Sequence, residues 1–268
     1  MKLRTIVLAA TMLAGTASVG TAVAQQKKEV PAYKVLDLPK VDLKNFKKNK
    51  QGAYVIFDGT SLTGWRGYDK AVLPKKWIID GGAIKFDSKA NVGNNEGGDL
   101  IFAHDFKNFE LELEWKVAKG ANSGIFFLAK EIEGQPIYIS SPECQVLDNE
   151  NHPDAKMGVD GNRKSTSLYD MIPAKPQNAK PYGEWNKVKI VVNKGKVEQW
   201  QNDVKVVEYT LWDQSWIDLL QKSKFSEEKW PLAYELLKNV GGKTKSGVIG
   251  FQDHGDDVWF KNITVKKL

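Results

Sequence analysis

The chain has 268 residues, of which 41% are hydrophobic, 27% charged and 10% aromatic, with nine Trp. This length allows one large domain or two small ones, and the composition is that of a folded globular protein rather than a disordered one. The single Cys144 excludes an internal disulfide framework and a thiolate-rich zinc site, and the net charge of +6 is spread along the chain among acids, as a Lys-rich surface rather than a nucleic-acid footprint.

The N-terminus reads as an address. Lys2 and Arg4 precede an apolar stretch from Ile6 to Ala14, and Ala22-Val-Ala24 fits a small-x-small cleavage site. Residues 1–24 are therefore expected to be a secretory signal, leaving a mature charge nearer +4. The apolar stretch falls short of the roughly 20 residues that a membrane span needs. No Cys follows to carry a lipid, and one thiol suits the bacterial periplasm. Residues 25–51, Lys-rich with Pro31 and Pro39, read as a linker, and residues 52–268 as the folded domain.

From residue 53 the chain reads as short strands with turn punctuation. Ala53–Phe57 ends in Asp58-Gly59; Trp77–Ile79 and Ala83–Phe86 flank Asp80-Gly-Gly82 as a hairpin. Phe109–Val117 alternates cleanly, with Phe109, Leu111, Leu113, Trp115 and Val117 on one face and Glu110, Glu112, Glu114 and Lys116 on the other. Further strands are expected at 124–129, 144–147, 187–192, 197–201, 204–209, 248–252 and 258–265. The stretch 210–240 breaks the pattern. Trp212, Trp216, Leu219 and Leu220 have helical spacing after Thr210-x-x-Asp213, and a second helix is expected at Pro231–Leu237. This helical insertion is either decoration on a sheet edge or a lid over a cleft. The whole predicts an all-β, two-sheet jelly-roll sandwich whose outer face can curve into a groove for an extended polar ligand.

Several segments carry a resemblance: Phe57-Asp-Gly-Thr-Ser-Leu-Thr-Gly-Trp65, Asn122-Ser-Gly-Ile-Phe126, Glu143-Cys-Gln-Val-Leu-Asp-Asn149, Gly183-Glu-Trp-Asn186, and Gly247-Val-Ile-Gly-Phe-Gln-Asp-His-Gly255 followed by Val258-Trp-Phe-Lys-Asn-Ile263. In this order, over residues 52–268, they resemble the 3-keto-disaccharide hydrolase domain family, a sandwich similar to concanavalin-type lectins and glucanases. The resemblance implies action on glycosides whose C3 hydroxyl has been oxidised to a ketone. A C3 ketone acidifies the C2 proton, whose removal lets the C1 substituent leave by β-elimination; water can then add back, giving net hydrolysis. Such chemistry needs a base near C2, a positive charge or donor near the C3 oxygen and an acid near the glycosidic oxygen. A divalent cation chelated by the ketone could supply the electrophile, so the cofactor is left open.

Glu143 and Gln145 share one strand face, opposite Cys144 and Val146, which suit the core. Glu143 is the expected acid or base, with Gln145 as a sugar ligand; the bland reading is a solvated strand face. Asp148 and Asn149, at the strand end, are candidate binding or metal residues, or a turn. Gln252 and His254 share parity opposite Ile249 and Phe251, and His254 can titrate near neutrality or ligate metal. His152 reads as loop structure and His104 as surface. In the loop-rich stretch 150–183, Tyr169 is expected as a phenolic acid, ahead of Arg163 and Lys164 as the cation that meets the enolate, while Asn122 could reach the groove. Glu110, Glu112 and Glu114 read as a solvated stripe, and Trp185 as core.

The expected partner is thus an oxidised glycoside, with no nucleic acid and no membrane span, and the oligomeric state is left open. A non-catalytic carbohydrate-binding sandwich is the rival reading, because fold alone does not settle function. An ordinary retaining glucanase, needing two acids about 5–5.5 Å apart, is disfavoured by Gln145 beside Glu143.

Overall fold

The computed structural model describes residues 29–93 and 96–268. The predicted signal at 1–24 lies outside the described residues. Among the described residues, thirteen strands form two antiparallel sheets: β1 Tyr54–Phe57, β2 Trp65–Gly67, β3 Trp77–Asp80, β4 Ala83–Phe86, β5 Leu100–Phe106, β6 Phe109–Val117, β7 Asn122–Ala129, β8 Glu143–Leu147, β9 Asn186–Asn193, β10 Lys196–Gln201, β11 Val204–Thr210, β12 Gly247–Phe251 and β13 Val258–Lys267. The eight-stranded sheet runs β11-β10-β9-β6-β13-β4-β3, with β1 also paired to β13. The five-stranded sheet runs β2-β5-β12-β7-β8.

The inner faces meet in one core. The alternation of β6 works as predicted: Phe109, Leu111, Leu113, Trp115 and Val117 are all buried. Opposite them stand Ile125, Phe127, Cys144, Val146, Ile249 and Phe251 from the smaller sheet. Phe251 of β12 stacks on Phe260 of β13 at 3.9 Å between centroids and on Trp65 at 5.2 Å, fastening sheet to sheet. This is the jelly-roll sandwich predicted from the strand pattern.

The helical insertion is present as α1 Gln214–Lys222 and α2 Pro231–Lys238. Asp213, not Thr210, starts α1, its carboxylate accepting from the Trp216 N–H at 2.9 Å. Trp216 and Leu220 point into the core, and Trp216 Nε1 donates to the Leu237 carbonyl of α2.

Residues 29–51 correct the linker reading. Leu36 N–H donates to the Glu131 carbonyl, Val41 N–H to that of Ala103, and Leu43 is fully buried. Apolar residues at roughly alternate positions, too sparse to mark a strand, are enough to dock an irregular arm. The arm lies over the outer face of the smaller sheet, where Val41 packs on a second apolar cluster of Tyr68, Ile101, Ala103, Phe126, Ala129, Ile137 and Val248. One end of that outer face is therefore plugged. The other end carries polar side chains.

Candidate active site

Antiparallel pairing sets the polar rows. Phe126 of β7 pairs with Glu143 of β8, and Gly124 with Gln145. On the other side of β7, Phe251 pairs with Ile125, and the next residue, Gln252, donates its N–H to the Gly124 carbonyl. Ile249 and Phe251 enter the core, so Gln252 shares the outer face with Glu143, Gln145, Gly124 and Asn122. The parity reading of both strands holds, but this face is not solvated: Glu143 is 7% exposed, Gln145 1% and Asn122 4%.

Two walls cover it. Along the edge of β8 the loop 165–169 pairs like a further strand, with Gln145 N–H donating to the Ser167 carbonyl, Thr166 N–H to Gln145 and Tyr169 N–H to Glu143. The second wall comes from the helical insertion and from the turn Ile137–Ile139. Phe225 and Tyr138 both pack on Trp230, and the Lys224 ammonium stands 4.4 Å from the centroid of Tyr169, 5.0 Å from Phe225 and 5.4 Å from Tyr138. The insertion is thus both edge packing and a wall of the cleft.

Glycine 124 makes the floor. A Cβ there would collide with the Glu143 carboxylate oxygen Oε1 and lie 3.0 Å from its Cδ, so the carboxyl lies down over β7. Burial pushes Glu143 up to about 8; the Lys224 ammonium pulls it down, while the Asp99 and Asp154 charges add to the rise. Burial likewise holds the Lys224 amine below its usual range, against the attraction of Glu143 and Asp170. The two groups bias each other toward the charged pair.

A rigid clamp surrounds them. Arg163 donates Nη1 to Asp154 at 2.8 Å and Nε to Asp170 at 2.7 Å, and the second oxygen of Asp170 accepts from the Lys224 main-chain N–H at 2.8 Å. The guanidinium lies 5.3 Å from the Tyr169 ring centroid. Burial, and then the neighbouring Asp154 carboxylate, push the Tyr169 phenol well above its ordinary range. Tyr169 therefore holds its proton and serves as the ring on which Lys224 rests, a weaker acid than the sequence reading expected.

At the far end of the face, His152, His254 and Asp256 bring their ligand atoms within 4.8 Å of one another. The Asp256 carboxylate accepts from Asn122 N–H at 3.0 Å, and the His rings meet edge-on at 5.8 Å. His152 Nδ1 accepts from Asp154 N–H at 3.1 Å, capping the turn Pro153–Lys156, so the loop-structure reading of His152 holds. In a neutral imidazole so bonded Nε2 carries the hydrogen. A cation would therefore have to displace that cap to use His152, and only His254 and Asp256 are poised as ligands. Asn122 Oδ1 and Gln252 Oε1, both buried, accept no hydrogen bond among the described residues. Buried acceptors without donors point to a polar ligand in the cleft.

Three expected site residues lie elsewhere. Asp148 is a turn former: its oxygens accept from Gly120, Glu150 and Asn151 N–H and from Asn151 Nδ2, leaving no free lone pair aimed at a ligand. Asn149 accepts from Ser165 N–H, and it lines, with Lys164, a separate cavity of about 620 Å³ formed within residues 149–177. The corresponding cation in the cleft is Lys224, which the sequence reading passed over, together with Asp99, Asp154 and Asp170. His104 is half-buried on β5, with Nδ1 2.9 Å from the Val41 carbonyl, remote from the cleft face. Trp185, expected in the core, lies instead on the outer face of the large sheet under Lys116 and Lys261.

Comparison with known proteins gives the family and the fold. Residues 52–266 match a family described as the 3-keto-alpha-glucoside-1,2-lyase-like domain. A protein of Bacteroides thetaiotaomicron named 3-keto-disaccharide hydrolase is 58% identical over 246 residues, covering 88% of this chain and 85% of the relative. A crystal structure of a candidate glycosyl hydrolase from Parabacteroides distasonis ATCC 8503 superposes with a TM-score of 0.67 at 25% identity, covering 81% of this chain and 94% of that one. A second candidate hydrolase of that organism gives 0.59 at 23% identity, covering 81% and 99%, a likeness of fold.

Proposed function

The chain belongs to the family of 3-keto-alpha-glucoside-1,2-lyase-like domains, enzymes acting on glycosidic bonds, and from that premise we propose that it cleaves 3-keto-glycosides by removing the proton at C2. The observation that carries the proposal is the buried Glu143 carboxyl facing the Lys224 ammonium over a glycine floor. A carboxylate whose proton affinity is raised by burial is a stronger base than one in water. An ammonium held on three aromatic rings is a fixed positive charge at the place where an enolate oxygen develops.

In this mechanism the ketone oxygen at C3 faces Lys224. Glu143 takes the C2 proton, the C2–H electron pair forms the C1=C2 double bond, and the C1–oxygen bond breaks. Water adds to C1 while Glu143 returns its proton to C2, so the net reaction is hydrolysis. The unpartnered acceptors of Gln252 and Asn122 take hydrogen bonds from sugar hydroxyls. Gln145, whose Oε1 accepts from Val146 N–H, backs the floor. The relative's name, a hydrolase of 3-keto-disaccharides, supports net hydrolysis of a keto-disaccharide, and the family's, a 1,2-lyase, supports elimination between C1 and C2. The N-terminal signal pattern supports export to the periplasm. A mature protein whose first residue is Gln25 is the expected result of N-terminal sequencing.

The test is a matched pair of substrates, 4-nitrophenyl 3-keto-glucoside and 4-nitrophenyl glucoside. Release of nitrophenol from the keto form alone is expected. Equal release from both would overturn the mechanism, and binding without release from either would favour a carbohydrate-binding module.

A further inference from the structure

Removal of the C2 proton leaves two other protons without an owner. The departing oxygen must gain one, and the water that adds to C1 must lose one. A second carboxyl, Asp99, stands across the floor from Glu143. It immediately precedes β5, and Leu100 pairs with Phe251 of β12, so Asp99 neighbours Gln252. Its Oδ1 accepts from Asp253 N–H at 2.9 Å. Asp99 shares parity with Ile101, whose side chain lies in the outer-face cluster, so it faces the cleft rather than the core.

The spacing suits a sugar. The sheet runs β5-β12-β7-β8 here, and neighbouring strands lie about 4.8 Å apart. Glu143 lies down over β7 at Gly124, so the Asp99 backbone is about two strand spacings away, roughly 10 Å. Between the two carboxyls lies β12, which carries Gln252 with its unpartnered oxygen. After burial, both carboxyl charges raise the pKa of the Tyr138 phenol. The Asp253 main-chain donor anchors Asp99 without neutralising it; burial, helped by the Asp253 and Asp69 charges, outweighs the lowering by that hydrogen bond and holds Asp99 at about 7. It can therefore hold a proton and release it near neutrality, which a structural aspartate fixed by a basic partner cannot.

We propose that Asp99 is the acid–base group at C1, protonating the departing oxygen and then deprotonating the water that replaces it. This assignment rests on the keto-glycoside reading above. The cycle closes. Neutral Asp99 gives its proton to the oxygen leaving C1 and becomes the carboxylate. That carboxylate takes a proton from water as the water oxygen bonds to C1, the double-bond electrons move toward C2, and Glu143 returns its proton there. Both carboxyls end as they began, and the net change is one 3-keto-glycoside plus one water to one 3-keto sugar plus one alcohol.

The test is Asp99→Asn, which keeps the size of the side chain and the oxygen that accepts from Asp253. Two substrates are compared: a 3-keto-disaccharide, whose leaving group is a poor alkoxide, and 4-nitrophenyl 3-keto-glucoside, whose leaving group needs no acid. The variant should lose about 10²-fold or more on the disaccharide and less than about 10-fold in nitrophenol release. The sugar product should shift from the 3-keto sugar to the unsaturated enone, seen by its near-ultraviolet absorption and a mass lower by one water than that of the hydrated sugar. Formate should restore hydration in Asp99→Ser. Equal losses on both substrates with no enone, or wild-type product ratios, would overturn the role of Asp99. Should the wild-type protein leave both keto substrates intact, the functional reading itself falls, and the role of Asp99 falls with it.

Discussion

The sandwich has two outer faces, and they solve the placement of polar residues in opposite ways. On the eight-stranded sheet, acids and bases meet as cross-strand neighbours: Glu112 pairs with Lys189, Glu114 with Lys187 and with Lys261, and Glu110 with Lys266. The Lys261 amine lies 3.6 Å from Glu114 and 4.0 Å from the Trp185 ring centroid, and Lys116 lies 4.5 Å from that of Trp259. These groups are exposed or half-buried and compensate one another, so the acidic stripe of β6 is the solvated face expected from sequence. On the five-stranded sheet, polar groups are buried, two acceptors lack donors, and two carboxyls are pushed into the neutral range. Self-satisfied polarity signals solubility, whereas buried polarity left uncompensated signals a ligand.

Matched substitutions on the two faces give the sharpest contrast. Glu143→Gln is expected to lower kcat/KM by about 10²–10⁴-fold, whereas Glu114→Gln should leave activity intact and stability within about 0.5 kcal/mol. Parallel kinetics and thermal melts check both, and equal behaviour of the two variants would erase the distinction between the faces. Lys224→Met should cost about 10²–10³-fold in kcat, the range seen when one preorganised donor to an oxyanion is lost. Lys261→Met should cost nothing measurable in kcat.

Smaller effects follow from the floor and from protonation. Gly124→Ala puts a methyl where the Glu143 carboxyl lies, and kcat should fall at least about 10-fold, the scale of a misplaced catalytic group. Since Glu143 acts as carboxylate and burial raises its pKa to about 8, kcat/KM for nitrophenol release, which needs no acid at the leaving group, should climb as pH rises toward 8. The linkage to stability has the opposite sense. A carboxyl whose folded pKa lies above its unfolded value contributes stability below the unfolded value, and that contribution is lost as pH rises through about 8. Glu143→Gln should therefore gain stability relative to wild type between pH 5 and about 8–9, measured by denaturant melts.

The smallest effect on catalysis is expected at Asp148. Burial acts to raise its pKa, but its N–H donors from Gly120, Glu150 and Asn151 and the Asn151 amide outweigh burial and hold it low. Its contribution to stability is present above the ordinary carboxylate value and is lost as pH falls through its lowered folded value. Asp148→Asn should cost about 1–3 kcal/mol at neutral pH through mismatched donors, with the deficit closing in acid and kcat nearly unchanged.

Period-two patterning made most strands legible, and parity paired Glu143 with Gln145 and Gln252 with His254; that β7 and β12 bring Asn122 and Gln252 onto the face of Glu143 came from the sheet order. Two strands escaped it. β5 is buried on both faces along Leu100–Ala103, so it shows no alternation, and β2 is only three residues long. The rest of the site was illegible for a related reason. Lys224, Asp99, Asp154 and Asp170 sit in loops or at strand ends with no local pattern, and only long-range packing brings them to Glu143. Their signal would have been charged residues next to aromatic ones in loops, as in Lys224-Phe225 and Tyr169-Asp170, which local reading cannot tell from ordinary surface.

The cleft draws on residues 99, 124, 143, 169, 224 and 252, and the segment that brings Lys224 is spliced between two strands of different sheets, β11 and β12. No fragment shorter than residues 99–252 holds the complete chemical apparatus. Turnover during refolding should consequently reappear only with the last docking event, after strand formation has already restored the far-ultraviolet signal, which makes activity a clock for the final stage of assembly.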